Sequence, residues 1–299
     1  MSRSHLSVLH KQMLYVTMSL YTVIFGLVMV NVVNCATDEL STLMTSLWHG
    51  DINAAASKDL RYAYQQHTNT TSTADNAPES LFTYVNEDYL YHKPTYITFL
   101  DLLNNYNHAT GTVEHVTPEE EAEELRFIRE ICKTSVMQKT QEFLHTKGFV
   151  GSTMTEFEHT LQSIWFSNYP RHGHSSIKDC SGFEHVFVGE TVGTKVDGLH
   201  NWIQFHMEEK AGHLNYLGYL YKRDPAILGV HFKWFNNYKN LSGLIVGSSP
   251  EFDIAAYTIC YYLHRNKDCS FNIDAHNIRI KTYEVDYVNG DQVATAYVE

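Results

Sequence analysis

Ser181-Gly182-Phe183-Glu184-His185-Val186-Phe187-Val188-Gly189-Glu190 and, eight residues on, Gly198-Leu199-His200-Asn201-Trp202 are the stretches on which the fold turns. Alternation in the first predicts a strand with Phe183, His185 and Phe187 on one side and Glu184, Val186, Val188 and Glu190 on the other. A bulge or a strand end at Gly189 would bring Glu190 back beside His185. Further β-rich runs punctuated by Gly and Asn follow at 202–208, 229–235, 278–286 and 293–298. Ser249-Pro250-Glu251 opens one more helix, reaching about Leu263.

Upstream of that stretch the pattern is helical. Leu40, Leu43 and Leu47 predict a helix within 36–70, and the Thr- and Ser-rich segment 68–80 reads as an exposed loop. Thr117-Pro118-Glu119-Glu120 joins a Thr N-cap, a Pro at N1 and a returning Glu, opening a long, broken helix that ends near Gly148. Thr155 with Glu158 predicts the start of another, with Phe157, Leu161, Ile164 and Trp165 on its core face. The fold class is α+β: an N-terminal helical lobe over 36–166, then a mainly antiparallel β lobe over 167–299, with no repeat or compositional linker between them.

The N-terminus reads as an address. Arg3 and Lys11 precede an apolar run from Met13 to Val33, and no acidic residue occurs before Asp38. Residues 1–35 are expected to be a secretory signal peptide; the run is also long enough for an uncleaved signal anchor. Secretion agrees with sequons at Asn69 and Asn240 and with four remaining cysteines, Cys132, Cys180, Cys260 and Cys269, which allow up to two disulfides in three pairings. Cys260, on the buried face of a helix, also reads as a core thiol. A net charge of −12 excludes a globally basic nucleic-acid binder, but cations focused in one cleft can still hold a short stretch of RNA.

His185, His200 and, 39 residues later, Lys239 are the parts needed to cleave RNA through its own 2′-hydroxyl. One imidazole accepts the 2′-OH proton, the other protonates the departing 5′-oxygen, and a cation stabilises charge developing on phosphate. With 18 His in the chain, the spacing alone decides nothing.

The surrounding residues do. Both His blocks closely resemble the signature of the EndoU family of uridylate-preferring endoribonucleases, which includes animal members and a more distant nidoviral enzyme. Leu47-Trp48-His49-Gly50-Asp51-Ile52-Asn53, Lys93-Pro94-Thr95-Tyr96, Leu102 to Tyr106, Ile164-Trp165-Phe166 and Gly247 to Phe252 follow in family order, so the likeness spans about 40–297. The resemblance implies His200 as general base, His185 as general acid and Lys239 as the transition-state cation, with the two His labels exchangeable. It also implies supporting roles for Glu184 and Glu190, and uridine contacts for Thr295 and Tyr297 in a terminal Thr-x-Tyr segment where Val298 replaces the usual proline.

Further expectations follow from the resemblance. The substrate would be single-stranded, uridine-containing RNA, not DNA, cut to a 2′,3′-cyclic phosphate and a 5′-hydroxyl by a monomer without a stable protein partner. Manganese (Mn2+) would be the cofactor, although no divalent cage is legible and His172-Gly173-His174 reads as an exposed loop. Ala54 replaces the usual Arg, and Cys180 the usual Ser, the latter read as marking a lineage-specific disulfide. The alternative is a catalytically silent secreted RNA-binding protein of the same fold. A serine protease lacks its Gly-x-Ser-x-Gly setting and a zinc hydrolase its His-Glu-x-x-His helix.

Overall fold

The computed structural model describes residues 39–171, 177–287 and 290–299; the N-terminal address and His172-Gly173-His174 lie outside them. The chain is α+β. Helix α1 (39–50) is followed by a short hairpin, β1 (Leu60–Tyr62) with β2 (Phe82–Val85), and by α2 (Glu87–Leu90) and α3 (Pro94–Leu102). The helix expected within 36–70 is therefore shorter, because it gives way at Gly50-Asp51 to turns.

Helices α4 (Pro118–Cys132) and α5 (Ser135–Thr146) are the predicted broken helix, and a capping box of Thr117 and Glu120 starts the first. Helix α6 (Met154–Phe166) begins two residues before the expected start. Its capping box uses Thr153 and Glu156, which leaves Thr155 and Glu158 inside the helix. The predicted core face holds, with Phe157, Leu161, Ile164 and Trp165 all buried.

The first His stretch is not a strand. Glu184–Val188 forms a π-helical turn, closed by a hydrogen bond from Gly189 N to Glu184 O. Phe183 and Phe187 are four residues apart, a helical spacing, and stack at 5.0 Å. Phe99, Phe127, Phe166 and Trp165 of the helical half pack around the two rings. That shared burial overrides the local alternation. The predicted strand at 202–208 is also a helix, α7 (Trp202–Lys210). The Asn201 side chain caps it, accepting from Ile203 N and Gln204 N at 2.9 and 3.0 Å. Trp202, Ile203, Phe205 and His206 are all buried, so no polar face marks the helical period.

The remaining strands form two sheets. β3 (Glu190–Val192), β4 (Lys195–Asp197), β5 (Leu214–Arg223), β6 (Ile227–Trp234) and β7 (Asn237–Ile245) pair in the order β3-β4-β7-β6-β5, antiparallel except for β4 with β7. β8 (Asp268–Ile273), β9 (His276–Glu284) and β10 (Val293–Val298) make an antiparallel sheet in the order β10-β9-β8. Between the sheets in sequence lies α8 (Pro250–His264), capped by Ser249. It packs on α3 and α5 as well as on β9, and one hydrophobic core runs from Leu40 to Val298 across both halves.

Cys260 at the end of α8 is disulfide-bonded to Cys269 of β8, so it is not the free core thiol that its buried position suggests. Cys132 and Cys180 are free and buried, and the replacement at Cys180 marks no second bond. No helix among the described residues is long and apolar enough to cross a membrane. The cross-link removes loop entropy from the unfolded chain across a separation of nine residues. A Cys260→Ser, Cys269→Ser variant is expected to lose about 2.5 kcal/mol in urea denaturation. An unchanged midpoint would show that the bond contributes nothing.

Candidate active site

Two backbone hydrogen bonds bring the His segments together. Leu199 N donates to His185 O at 3.1 Å, and His200 N donates to Val186 O at 2.7 Å. Contact this close requires glycine. Gly198 sits at φ 65°, where a Cβ would stand 1.7 Å from His185 O. Gly189 sits at φ 98°, where a Cβ would stand 2.7 Å from Leu199 Cβ. The turn at Gly189 reverses the chain, so that Glu190 comes back beneath His185 without a bulge.

The geometry sets the tautomer of each imidazole. Nδ1 of His185 donates to Glu190 Oε2 at 2.6 Å, leaving Nε2 toward the cleft. The Ser242 hydroxyl donates its only proton to Leu199 O at 2.6 Å, so at 2.8 Å it must accept from His200 Nδ1. Nε2 of His200 is therefore the ring nitrogen with a free lone pair. The ring stacks on Tyr297 at 5.2 Å.

Burial, then the Arg171 and Lys239 charges, hold His185 well below the usual imidazole range. Burial, then Lys239 and His185, do the same to His200. Burial also lowers the Lys239 ammonium to about 8, against opposition from Asp197 and Glu190, so it stays largely charged at neutral pH. Two neutral imidazoles and one ammonium thus share a cleft of about 280 Å³, with Thr295 and Tyr297 of β10 on its wall.

Glu184 is not brought to the cleft. It is wholly buried, and neither carboxyl oxygen has a hydrogen-bond partner among the described residues. Burial, then Glu190 and Glu114, push it up to about 10, so it stays a neutral acid. The chemistry-first reading missed Arg171, Asp197, Tyr221 and Ser242. Arg171 lines the cleft, its Nε 3.4 Å from Glu190 Oε2 and a terminal nitrogen 3.5 Å from His185 Nε2. No local motif marks it. Ser242 carried a signal, but as the hydroxyl of a glycosylation sequon. In the fold it is buried on His200, while Asn240 is exposed.

Among the described residues, one cluster has donor spacing that could hold a cation, and a second region has buried carboxyl oxygens without partners. Cys180, His185 and Glu190 have donor atoms within 4.8 Å of one another, but they surround an imidazole already held by its carboxylate and lie beside Arg171. Asp51 and Glu251 each keep one buried carboxyl oxygen without a hydrogen-bond partner, and burial followed by repulsion from Glu251 raises Asp51 to about 6. Asn53 Nδ2 donates to Glu251 at 2.6 Å.

Comparison with known proteins shows the family. The family model described as Endoribonuclease XendoU matches residues 39–298. A uridylate-specific endoribonuclease of Bos taurus is 41% identical over 272 residues, which cover 87% of this chain and 65% of that protein. The chain thus spans less than two thirds of the length of that relative. Uridylate-specific endoribonuclease D of Xenopus laevis is 40% identical over 270 residues, covering 87% of this chain and 88% of that one. The solved structure of XendoU, a splicing-independent snoRNA-processing endoribonuclease, superposes with a TM-score of 0.75 at 35% identity, covering 87% of this chain and 96% of that one.

The buried neutral acid gives a signed expectation. Between the ordinary carboxyl pKa near 4.3 and the folded value of about 10, Glu184 takes up a proton on folding. Its contribution to stability therefore falls as pH rises, by up to about 1.4 kcal/mol per pH unit. Urea midpoints of wild type and Glu184→Gln should diverge from pH 5 to 9, with wild type losing ground; parallel curves would mean Glu184 is ionised. Gly198→Ala is expected to cost more than about 3 kcal/mol in the same measurement.

Proposed function

Since the chain belongs to the endoribonuclease XendoU family, we propose that it cleaves single-stranded RNA 3′ of uridine by attack of the 2′-hydroxyl on the adjacent phosphate. The observation that carries this reading is the pair of imidazoles whose Nδ1 atoms are held differently, His185 by a carboxylate and His200 by a hydroxyl.

That difference also supports one assignment of the roles. Glu190 stabilises an imidazolium at His185, which suits a general acid; Ser242 offers His200 no charge, which suits a general base. Nε2 of His200 takes the 2′-OH proton, O2′ attacks phosphorus, and Lys239 stabilises the charge that gathers on the phosphoryl oxygens. The bond to the 5′-oxygen breaks as His185 protonates it, leaving a 2′,3′-cyclic phosphate and a 5′-hydroxyl with no water consumed. His185 must arrive protonated, and the negative phosphate of the bound RNA raises its pKa toward that state. DNA, with no 2′-hydroxyl, is not a substrate. Thr295 can hydrogen-bond a pyrimidine edge, and Tyr297, braced on His200, supports a base or ribose face.

For manganese, the oxygen set of Asp51 and Glu251 with Asn53 fits better than the sulfur-containing set. An ion there would supply charge neutralisation for two buried carboxylates, away from the phosphate. The same region reaches His200 through protein alone: Asp51 accepts from Ser249 N, Ser248 donates to Asp253, and Asn201 donates to Asp253. Secretion is part of the reading, and the Cys260–Cys269 bond fits an oxidising compartment.

Short RNAs carrying one U, C, A or G among 2′-deoxy positions test the proposal. Cleavage at U with a cyclic phosphate end, lost in His185→Ala and His200→Ala, is expected; RNA bound but left intact by the folded wild type would favour a silent binding protein. Ser242→Ala should lower kcat about 10- to 100-fold with KM little changed, because the His200 ring loses the acceptor that fixes it. Manganese should raise the melting temperature of wild type, and less so that of Asp51→Asn; equal shifts would place the ion elsewhere.

A further inference from the structure

A second pocket, also of about 280 Å³, is lined by Tyr62, Tyr64, Lys222, Arg223 and Asp224 among others. Strand β5 connects the two: Tyr221 lines the cleft, and the next two residues, Lys222 and Arg223, line the pocket. The Arg223 guanidinium stands 5.1 Å over the Tyr221 ring, so one stacked pair joins a residue of each lining. Lys222 Nζ stands 4.5 Å over Tyr64 and 5.1 Å over Tyr219. No ion pair ties Lys222 or Arg223 to a carboxylate among the described residues, although the chain carries a net charge of −12.

We propose that this pocket is a second RNA subsite, which holds a nucleotide flanking the scissile uridine. The inference rests on the RNA reading of the cleft and extends it. Half-buried tyrosine faces beside exposed cations match the way proteins hold single strands: a base stacks on the ring and its phosphate meets the charge. Asp224 favours RNA over an acidic peptide because it can accept from a base amino group, whereas carboxylate side chains offer it no donor. The Arg223–Tyr221 contact between the two linings favours an occupant that belongs to the strand being cut. The consequence is selectivity for length: a uridine-containing dinucleotide reaches only the cleft, and a longer strand reaches both pockets.

The test uses Lys222→Ala and Tyr64→Ala, singly and together, neither residue lining the cleft. Steady-state cleavage of a dinucleotide and of a single-uridine 12-mer is compared, with matched thermal melts confirming the fold. The double variant should keep the dinucleotide kcat/KM and lose about tenfold for the 12-mer, mostly in KM. For Lys222→Ala, the salt dependence of the 12-mer should flatten by about 0.7 in log–log slope, one phosphate contact. Equal losses on both substrates, or none on either, would overturn the subsite. Anisotropy of a labelled 12-mer with 2′-deoxyuridine at the cut site separates the two readings. Wild type that binds it but cleaves no RNA would refute the nuclease, and weaker binding by the double variant would still establish the subsite. Unchanged binding by that variant, or a polyglutamate peptide bound in preference to the 12-mer, would refute the subsite.

Discussion

The molecule depends on two main-chain hydrogen bonds between the Gly198-Leu199-His200 segment and the turn that carries His185. They fix the separation of the two imidazoles by backbone, which is far stiffer than side-chain packing. Each neighbour then adopts what that stitch allows. Gly198 and Gly189 accept conformations that no other residue takes cheaply, Asn201 starts α7 directly after His200, and Phe183 and Phe187 seat the turn on the helical half. The two halves of the chain therefore meet at the site, and the shared core gives neither an independent hydrophobic interior.

Burial governs the electrostatics. Arg171, Lys239 and two imidazoles crowd one cleft, and desolvation keeps the imidazoles neutral so that the cations there are the guanidinium and the ammonium. Glu190 counters this at His185 alone. The two imidazoles thus differ in what holds Nδ1, a carboxylate at His185 and a hydroxyl at His200. A second carboxyl, Glu184, lies next to His185 in the chain yet stays protonated in the core, where it touches no reacting group.

His185, His200, Lys239, Thr295 and Tyr297 were legible because each stands in a short motif, and the fold gathers all five. Helices α4, α5 and α8 were legible from caps, which are local chemistry. Failures came where burial is complete. The 202–208 helix has no polar face to show its period, and the His185 turn alternates like a strand while its aromatic pair packs like a helix. Arg171 and Ser242 could not be found by motif, since each acquires its meaning only from a residue far along the chain.

Cys180 gives this architecture a built-in clock. Its thiol is wholly buried, beside the pair of His185 and Glu190, and burial raises its pKa well above the ordinary thiol value. A thiol reagent can reach it only when the packing around Tyr169 and Val285 opens. The other free cysteine, Cys132, is buried in α4 of the helical half. Comparing the modification rates of these two sulfurs would therefore follow separately how often each half of the protein breathes, with no label introduced and no residue changed.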